Sequence, residues 1–253
     1  FERFSHKDSI DYYLEKIKSL GFTHAVVDIR PITGEVLYKS EYAPQMKEWK
    51  GAKAGDFDYL GYFIKKGHEL GLEIHASLNV FCAGHNYFDR GMVYSGHPEW
   101  ASMVYTPDKG IIPITEEKHK YGAMINPLNE EYRTHILNVL KEVVTKYPDL
   151  DGLMLDRVRY DGITADFSSL SRKKFEEYIG KKSQTSPKIF SVGLKMQMGN
   201  TQRNQENISG NGWNGELKTL LISWRLPVKK SRQPTLTFLS ARTPVPGIHL
   251  IMK

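Results

Sequence analysis

Apolar residues along the first part of the chain alternate between helical spacing and short, continuous runs. Ile10, Leu14 and Ile17 recur on one helical stripe, and the run 23–29 that follows is typical of a buried strand. The pattern predicts helices over 9–20, 58–70, 129–147 and 168–179, and strands over 23–29, 72–80 and 153–155. A helix between successive strands favours parallel pairing, as in α/β proteins.

The segment 150–162, LDGLMLDRVRYDG, joins a buried strand to a group of polar residues. Leu153, Met154 and Leu155 are too apolar for a surface segment, and Asp156 follows them at once. Ligands of parallel α/β sheets and barrels bind beyond the carboxyl ends of the strands. Asp156 is therefore the first candidate for catalysis.

Two other predicted strands carry polar residues near their ends. Asp28 and Arg30 share one face of an extended segment, so they could bind a ligand or brace the end of the sheet. His75 and Asn79 also point to one side of their strand. For His75 we favour a packed, hydrogen-bonded position in the core. For Asn79 a structural role and a role in the site are equally favoured.

Two stretches depart from the helix and strand alternation. Residues 81–128 form a connection longer than usual, rich in Gly, Pro, His and aromatic residues, which is typical of a functional loop. From about residue 183 the chain is dense in Gln, Asn, Ser, Thr and Gly. We therefore divide the chain into a domain over 1–182 and an irregular tail over 183–253.

Charge separates the same two parts. Residues 1–182 contain 25 Lys and Arg against 27 Asp and Glu, whereas the tail contains 10 against 2. The basic residues of the tail are scattered and match no nucleic-acid-binding fold, so we predict no nucleic-acid partner. No apolar run is long enough to span a membrane. Cys82 is the one cysteine of the chain, which excludes an intrachain disulfide.

The sequence predicts neither a metal nor a cofactor. His68 and His75 fall on different predicted elements, and His85 and His97 fall in the long loop. No HExxH motif and no glycine-rich phosphate loop occurs.

Five motifs, in order, resemble those of glycoside hydrolases known as family-10-like or alpha-amylase-like TIM-barrel proteins, which are common in gut Bacteroidetes. They are VVDIRPITGEVLYKS, GLEIHASLNVF, INPLNEEYR, DGLMLDRVRYDG and DFSSLSRKKFEEYIG. The resemblance covers about residues 1–190. It implies a (β/α)8 TIM barrel that is incomplete, with about its first half present, followed by the irregular tail.

The resemblance implies cleavage of glycosidic bonds in a polysaccharide or oligosaccharide, a reaction that generally uses two carboxyl groups. Asp156 is similar in position to the nucleophile of amylase-type barrels, and Arg157 or Arg159 would keep it ionised. A structural ion pair with these arginines is the alternative. The substrate-binding residues implied are Asp28, Arg30, His75, Asn79, Trp100, Asn126, Arg159 and Tyr160. Asn126 could equally be a turn residue before a helix.

Half a barrel would expose strand edges, so we expect this chain to be marginally stable, aggregation-prone or dimeric, and inactive. The alternative function is a non-catalytic carbohydrate-binding or cell-surface interaction protein. The resemblance implies a periplasmic or extracellular location, with an export signal upstream of Phe1. The sequence leaves the oligomeric state open.

The unusual composition of the tail leads us to predict a change of reading frame near residue 191. Regrouping the codons after Ser191 permits a string that contains the helix pattern DIVAAAREKVTATY and the aromatic run GSWYPSYY, both of which continue the family resemblance. We expect resequencing across codons 185–200 to find one inserted or deleted base that restores this string. An in-frame tail in an independently determined gene would instead make 183–253 a genuine basic tail.

Overall fold

The computed structural model describes residues 6–162, 164–180 and 182, so the predicted tail lies outside the described residues. The described chain falls into two compact units. The first holds residues 6–102 and 114–161, and the second holds residues 103–113, 162, 164–180 and 182. All the candidate site residues belong to the first unit.

The predicted helices and strands are confirmed to within two residues at their ends. The helices are α1 (Lys7–Ser19), α2 (Tyr59–Glu69), α3 (Met92–Ser95), α4 (Glu130–Lys146) and α5 (Ser169–Ile179). The strands are β1 (His24–Arg30), β2 (Glu48–Trp49), β3 (Ala52–Lys53), β4 (Glu73–Asn79), β5 (Cys82–His85), β6 (Met103–Thr106), β7 (Gly110–Pro113), β8 (Gly122–Met124) and β9 (Gly152–Asp156).

The three strands that the sequence predicted form one parallel sheet in the order β1, β4, β9. The register places Asp28 opposite Ser77 and Asn79 opposite Asp156. A shift in the β1 register at Ile29 pairs Asp28 with Ser77 but Arg30 with fully buried Leu78. Asp28 and Arg30 therefore lie on opposite faces of the sheet, and the prediction that they share one face is wrong. The fold is therefore α/β with a parallel sheet, and Asp28, Asn79 and Asp156 lie at or near the carboxyl ends of its strands.

The two faces of this sheet differ in character. Ile74, Ala76 and Leu78 of β4 are fully buried, and α2 packs against both β1 and β4. The opposite face of β4 presents His75 and Ser77, which are only half-buried. We call this second side the open face of the sheet; it also carries Asp28 and Asp156, because alternate residues of a strand point to the same side.

Side-chain caps fix the starts of three helices. Asp58, Asn129 and Ser168 each accept a hydrogen bond from a backbone N–H in the first turn of α2, α4 and α5 respectively. Gly180 ends α5 in a left-handed conformation, with φ of 66°, which glycine adopts without strain.

Among the described residues no helix combines the length and apolar character needed to cross a membrane.

The connection over 81–128 contains short elements that the sequence pattern did not predict. In the first unit β5 pairs antiparallel with β8, which returns the chain beside the end of the parallel sheet. In the second unit β6 pairs antiparallel with β7, and the backbone N–H of Met103 donates to the Asp166 carboxylate at 2.7 Å. Strands of two to four residues are too short to show a reliable apolar period.

Glu142 on α4 fastens the segment that follows β1. Its carboxylate accepts hydrogen bonds from the Tyr38 hydroxyl at 3.0 Å, the Ser40 hydroxyl and the Glu41 backbone N–H at 2.7 Å. Three donors on one carboxylate hold this loop against α4 without regular secondary structure.

Gly67 lies where α2 approaches β4 closely enough to leave no room for a side chain, so a substitution there tests this contact. A Cβ atom at this position would lie 2.3 Å from Cδ1 of buried Ile74. Gly67→Ala gains up to about 1 kcal/mol in helix propensity, but overpacking costs about 1–3 kcal/mol. We expect a net loss of about 1 kcal/mol in the free energy of unfolding, measured by urea denaturation.

Lys65→Ala, on the exposed side of the same helix, is the matched control and should leave that free energy nearly unchanged. A Gly67→Ala protein more stable than the parent would contradict the close approach of α2 to β4.

Candidate active site

The carboxyl end of β1 is anchored by a fully buried arginine. The Arg30 side chain has 0% exposure, and its Nη1 donates to the backbone carbonyls of Asn79 and, at 3.1 Å, of Cys82. Its Nη2 lies 3.3 Å from the Tyr132 hydroxyl, which itself donates to the Val80 carbonyl. Arg30 therefore joins the ends of β1 and β4 to the first turn of α4.

Asn79 extends this arrangement to the third strand. Its Nδ2 donates to the Arg30 carbonyl at 3.0 Å, and its Oδ1 accepts from Nε of Arg157 at 2.8 Å. The side chain is buried, with 4% exposure. In this arrangement Asn79 connects two arginines and holds the loop after β9 against β4.

Asp28 has the most perturbed carboxyl of the site. The carboxyl is set among many protein atoms, although the side chain remains exposed to water. Loss of hydration raises the pKa of Asp28 to about 6, and the nearby Asp156 carboxylate raises it further against the lowering effect of the Arg30 backbone N–H and of the Arg30 and Arg157 charges. Residues with such shifted values are frequent in functional sites.

Asp156 ends β9 with an exposed side chain. Its Oδ1 accepts the backbone N–H of Arg157 at 2.7 Å, while the Arg157 guanidinium reaches Asn79 instead of the Asp156 carboxylate. Arg157 adopts a φ of 54°, a left-handed conformation that is uncommon for a residue with a side chain. Asp156 is thus oriented by the turn that follows it and keeps its open side toward solvent.

The remaining polar residues of the predicted strand end are spread along the following loop. Arg159 is exposed and donates to the Tyr160 carbonyl at 3.3 Å, and Tyr160 is half-buried. Asp161 forms an ion pair with Lys120. Arg159 and Tyr160 are therefore available on the surface next to Asp156 in the sequence.

His75 lies at the other end of the open face. It stands four positions before Asn79 on β4, which corresponds to about 13 Å along the strand, and its ring stacks on His24 with centroids 5.5 Å apart. Burial lowers the pKa of His75, and the charge of His24 lowers it further. The structure thus separates His75 from the predicted group at the carboxyl ends.

Trp100 and Asn126 occupy interior positions. Trp100 is 2% exposed, and its ring packs between His97, at a centroid distance of 3.7 Å, and Tyr132, at 5.2 Å. Asn126 is 4% exposed, and its side chain accepts the Leu128 backbone N–H at 2.9 Å. Both residues support the approach to α4, which matches the turn interpretation of Asn126.

An aromatic group surrounds His85 on β5; the sequence indicates Tyr87 as a residue that could stack on a sugar ring, but not the group as a whole. The His85 ring lies 4.5 Å from Phe88 and 4.6 Å from Tyr121, measured between centroids. Tyr87, Phe88 and Tyr121 are 57%, 50% and 50% exposed. We define the His85 aromatic cluster as Trp49, His85, Tyr87, Phe88 and Tyr121.

Two signals in the sequence point to parts of this arrangement. The aromatic density of 81–128 indicated the loop but not the partner Trp49, which comes from a separate hairpin. The strand-end rule indicated Asp28, Asn79 and Asp156, but the role of Arg157 as their connector follows only from the register of β4 with β9.

A parallel sheet with two aspartates near the carboxyl ends of its strands defines an α/β protein, a class in which ligands commonly bind beyond those ends. The chain matches the family model described as "Glycosyl hydrolase-like 10" over residues 2–211, and it belongs to this family. The match extends beyond residue 191.

Three similar proteins place the chain among known sequences and folds. An S-layer-related protein of Niallia circulans is 36% identical over 188 residues, which are 70% of this chain and 12% of that protein. An alpha-L-fucosidase isoenzyme 2 from Paenibacillus thiaminolyticus has a TM-score of 0.52 and 19% identity over 76% of this chain and 25% of its own. A hypothetical protein from Ruminiclostridium thermocellum has a TM-score of 0.47 and 19% identity, over 71% of this chain and 86% of its own.

The fucosidase likeness supports the α/β architecture alone, because its identity is low. The chain spans about an eighth of the length of its curated relative.

The raised pKa of Asp28 has a consequence for stability. An unfolded Asp has a pKa of about 3.9, so the folded state binds the proton more tightly, and the free energy of unfolding should fall as pH rises from about 4 to 6. Asp28→Asn removes the carboxyl group, so the free energy of unfolding should no longer fall over this pH range for that reason. We expect it to stabilise the protein at pH 7 by about 1 kcal/mol or less, because solvent screens an exposed carboxyl, and to bring no gain at pH 4.

Urea denaturation at the two pH values measures this difference. Asp56→Asn, at an exposed aspartate, is the control and should show no such pH dependence. An Asp28→Asn protein that is less stable than the parent at pH 7 would contradict the raised pKa.

Proposed function

We propose that this chain carries the site of a glycoside hydrolase that cleaves glycosidic bonds in a polysaccharide or oligosaccharide. In this proposal Asp156 is the catalytic carboxylate. The observation that carries it is the position of Asp28 and Asp156 near the carboxyl ends of parallel strands, on the open face of one sheet. Glycosidases generally work with two carboxyl groups held in different protonation states.

Asp28 is the second carboxyl of the proposed site. A carboxyl with a pKa of about 6 is partly protonated near neutral pH, so it can give a proton or a hydrogen bond to a sugar oxygen. Asp156 accepts one backbone N–H, and its side chain is otherwise exposed, so in this proposal it acts as the nucleophile or base. The pair therefore divides the acid and base roles that the reaction requires.

The surrounding residues take supporting roles in this proposal. Arg30, Asn79 and Arg157 act as positioning residues, because their hydrogen bonds tie the ends of the three strands together. Arg159 and Tyr160 are proposed to contact the substrate from the loop after β9. His75, Trp100 and Asn126 would act from further away, through the sheet and the approach to α4.

A second candidate function is carbohydrate binding without catalysis. It is favoured by the His85 aromatic cluster, in which three rings are about half exposed and could stack on the apolar faces of sugar rings. The hydroxyl groups of Tyr87 and Tyr121 would supply polar contacts at the ring edges. This candidate needs no contribution from Asp28 or Asp156.

The wider organisation of the protein is also a proposal. The parallel sheet and the family membership support a (β/α)8 barrel of which this chain holds about the first half. Export and a Bacteroidetes origin are proposed from the motif resemblance alone. A frame change near residue 191 would explain the tail, although the family match runs on to residue 211.

Hydrolysis assays with Asp156→Asn test the proposal. Aryl glycosides, including an α-L-fucoside, and soluble polysaccharides would be offered to this chain and to the product of the resequenced gene. We expect Asp156→Asn to lower kcat by about a thousandfold, since its amide cannot act as nucleophile or base, while binding of the substrate persists. Turnover that survives Asp156→Asn would contradict the assignment.

Two further variants separate the candidate functions. Asp28→Asn should remove the limb of the pH profile that reports its ionisation, whereas Tyr87→Ala should weaken binding of polysaccharide without changing that profile. Binding without turnover, lost in Tyr87→Ala and kept in Asp156→Asn, would favour the non-catalytic function.

A further inference from the structure

Parallel pairing of β1 with β4 brings three residues of metal-binding types together at the amino end of the sheet. His24 pairs with Glu73 in the register, and His75 follows Glu73 by two positions on the same face. The ligand atoms that His24, Glu73 and His75 offer all lie within 4.8 Å of one another. No motif in the sequence connects them, because His24 is 49 residues away from Glu73 along the chain.

The distances between these atoms fit a small ion. Oε2 of Glu73 lies 2.8 Å from Nε2 of His24 and 3.5 Å from Nε2 of His75. A tetrahedral zinc site with bonds of about 2.0–2.1 Å holds its ligand atoms about 3.3–3.4 Å apart. Only small side-chain movements therefore separate the present arrangement from coordination.

The neighbouring residues fix both imidazole rings. Nδ1 of His24 is hydrogen-bonded to the Thr23 hydroxyl at 2.6 Å, which directs Nε2 toward Glu73. Nδ1 of His75 packs over Gly152, where a Cβ atom would lie 2.3 Å away. Nε2 of this ring is therefore the nitrogen on the side of Glu73.

An ordinary ion pair accounts for only part of this group. Its short contact joins Glu73 to His24 at 2.8 Å, whereas the contact from Glu73 to Nε2 of His75 is longer, at 3.5 Å. Nε2 of His75 is buried and makes no hydrogen bond of good geometry within the part of the chain that the structure describes. A metal ion would occupy that position and use its lone pair.

We propose that His24, Glu73 and His75 bind a zinc ion that clamps β1 to β4 at the amino end of the sheet. Two imidazoles and one carboxylate suit zinc, whereas magnesium and calcium prefer oxygen ligands alone. Glu73 is 55% exposed, so water can supply the fourth ligand. The ion stands at the end of the sheet opposite Asp28 and Asp156, and its role is structural.

Zinc titration of the full chain, after dialysis against a chelator, tests this site. Calorimetry should show one ion per chain, and saturating zinc should raise the melting temperature by about 5 °C. His24→Gln and His75→Gln should each weaken zinc binding at least tenfold. Absence of zinc binding by the parent chain would overturn the proposal.

Glu131→Gln is the matched control. Glu131 belongs to a second group with His97 and Glu99, whose ligand atoms also lie within 4.8 Å of one another, but both glutamates are exposed. This variant should bind zinc as the parent does. Loss of the ion in Glu131→Gln, with binding kept in His75→Gln, would move the site to the second group and overturn the proposal.

Chemical protection gives a measurement on the unmodified sequence. Diethyl pyrocarbonate acylates accessible imidazole nitrogens, and mass spectrometry locates the modified residues. Zinc should protect His24 and His75 from modification and leave His97 as reactive as before. Equal reactivity of His24 and His75 with and without zinc would overturn the proposal even if a variant failed to fold.

Discussion

The burial of Arg30 is the constraint on which the arrangement of the strand ends depends. Moving an isolated guanidinium out of water costs several kcal/mol, so a buried arginine needs oxygen partners. Here they are the carbonyls of Asn79 and Cys82 and the Tyr132 hydroxyl. Because these groups belong to the end of β4, the start of β5 and α4, satisfying one charge fixes three elements in relation to one another. The polar groups presented to a ligand rest on this base.

The helices and the parallel strands could be predicted because each is specified by its own sequence. A helix such as α4 needs an apolar stripe and a capping residue, and Asn129 provides the cap within the same segment. The short strands β5 to β8 could not be predicted in this way. Each has at most four residues, and β5 in addition depends on β8, a partner that lies far along the chain.

A site residue could be predicted where its place along a strand decides whether it reaches the site. The prediction was poorer where packing against other residues decides whether the side chain is buried. Asp156 lies at a strand end whatever surrounds it. The sequence around Trp100 is typical of a surface loop, but the rings of His97 and Tyr132 enclose the Trp100 ring. The group formed by His24, Glu73 and His75 depends on a register between two strands, and a single sequence contains no direct record of that register.

The contact between Gly152 and His75 has a consequence for how this sequence can vary. The glycine lacks a side chain at the place where the imidazole sits, so any larger residue at position 152 would displace the ring. The two positions are therefore sterically coupled: a smaller residue in place of the histidine would make room for a side chain at position 152, and the histidine itself leaves none. A residue that looks like a simple strand start is held by a partner on the neighbouring strand.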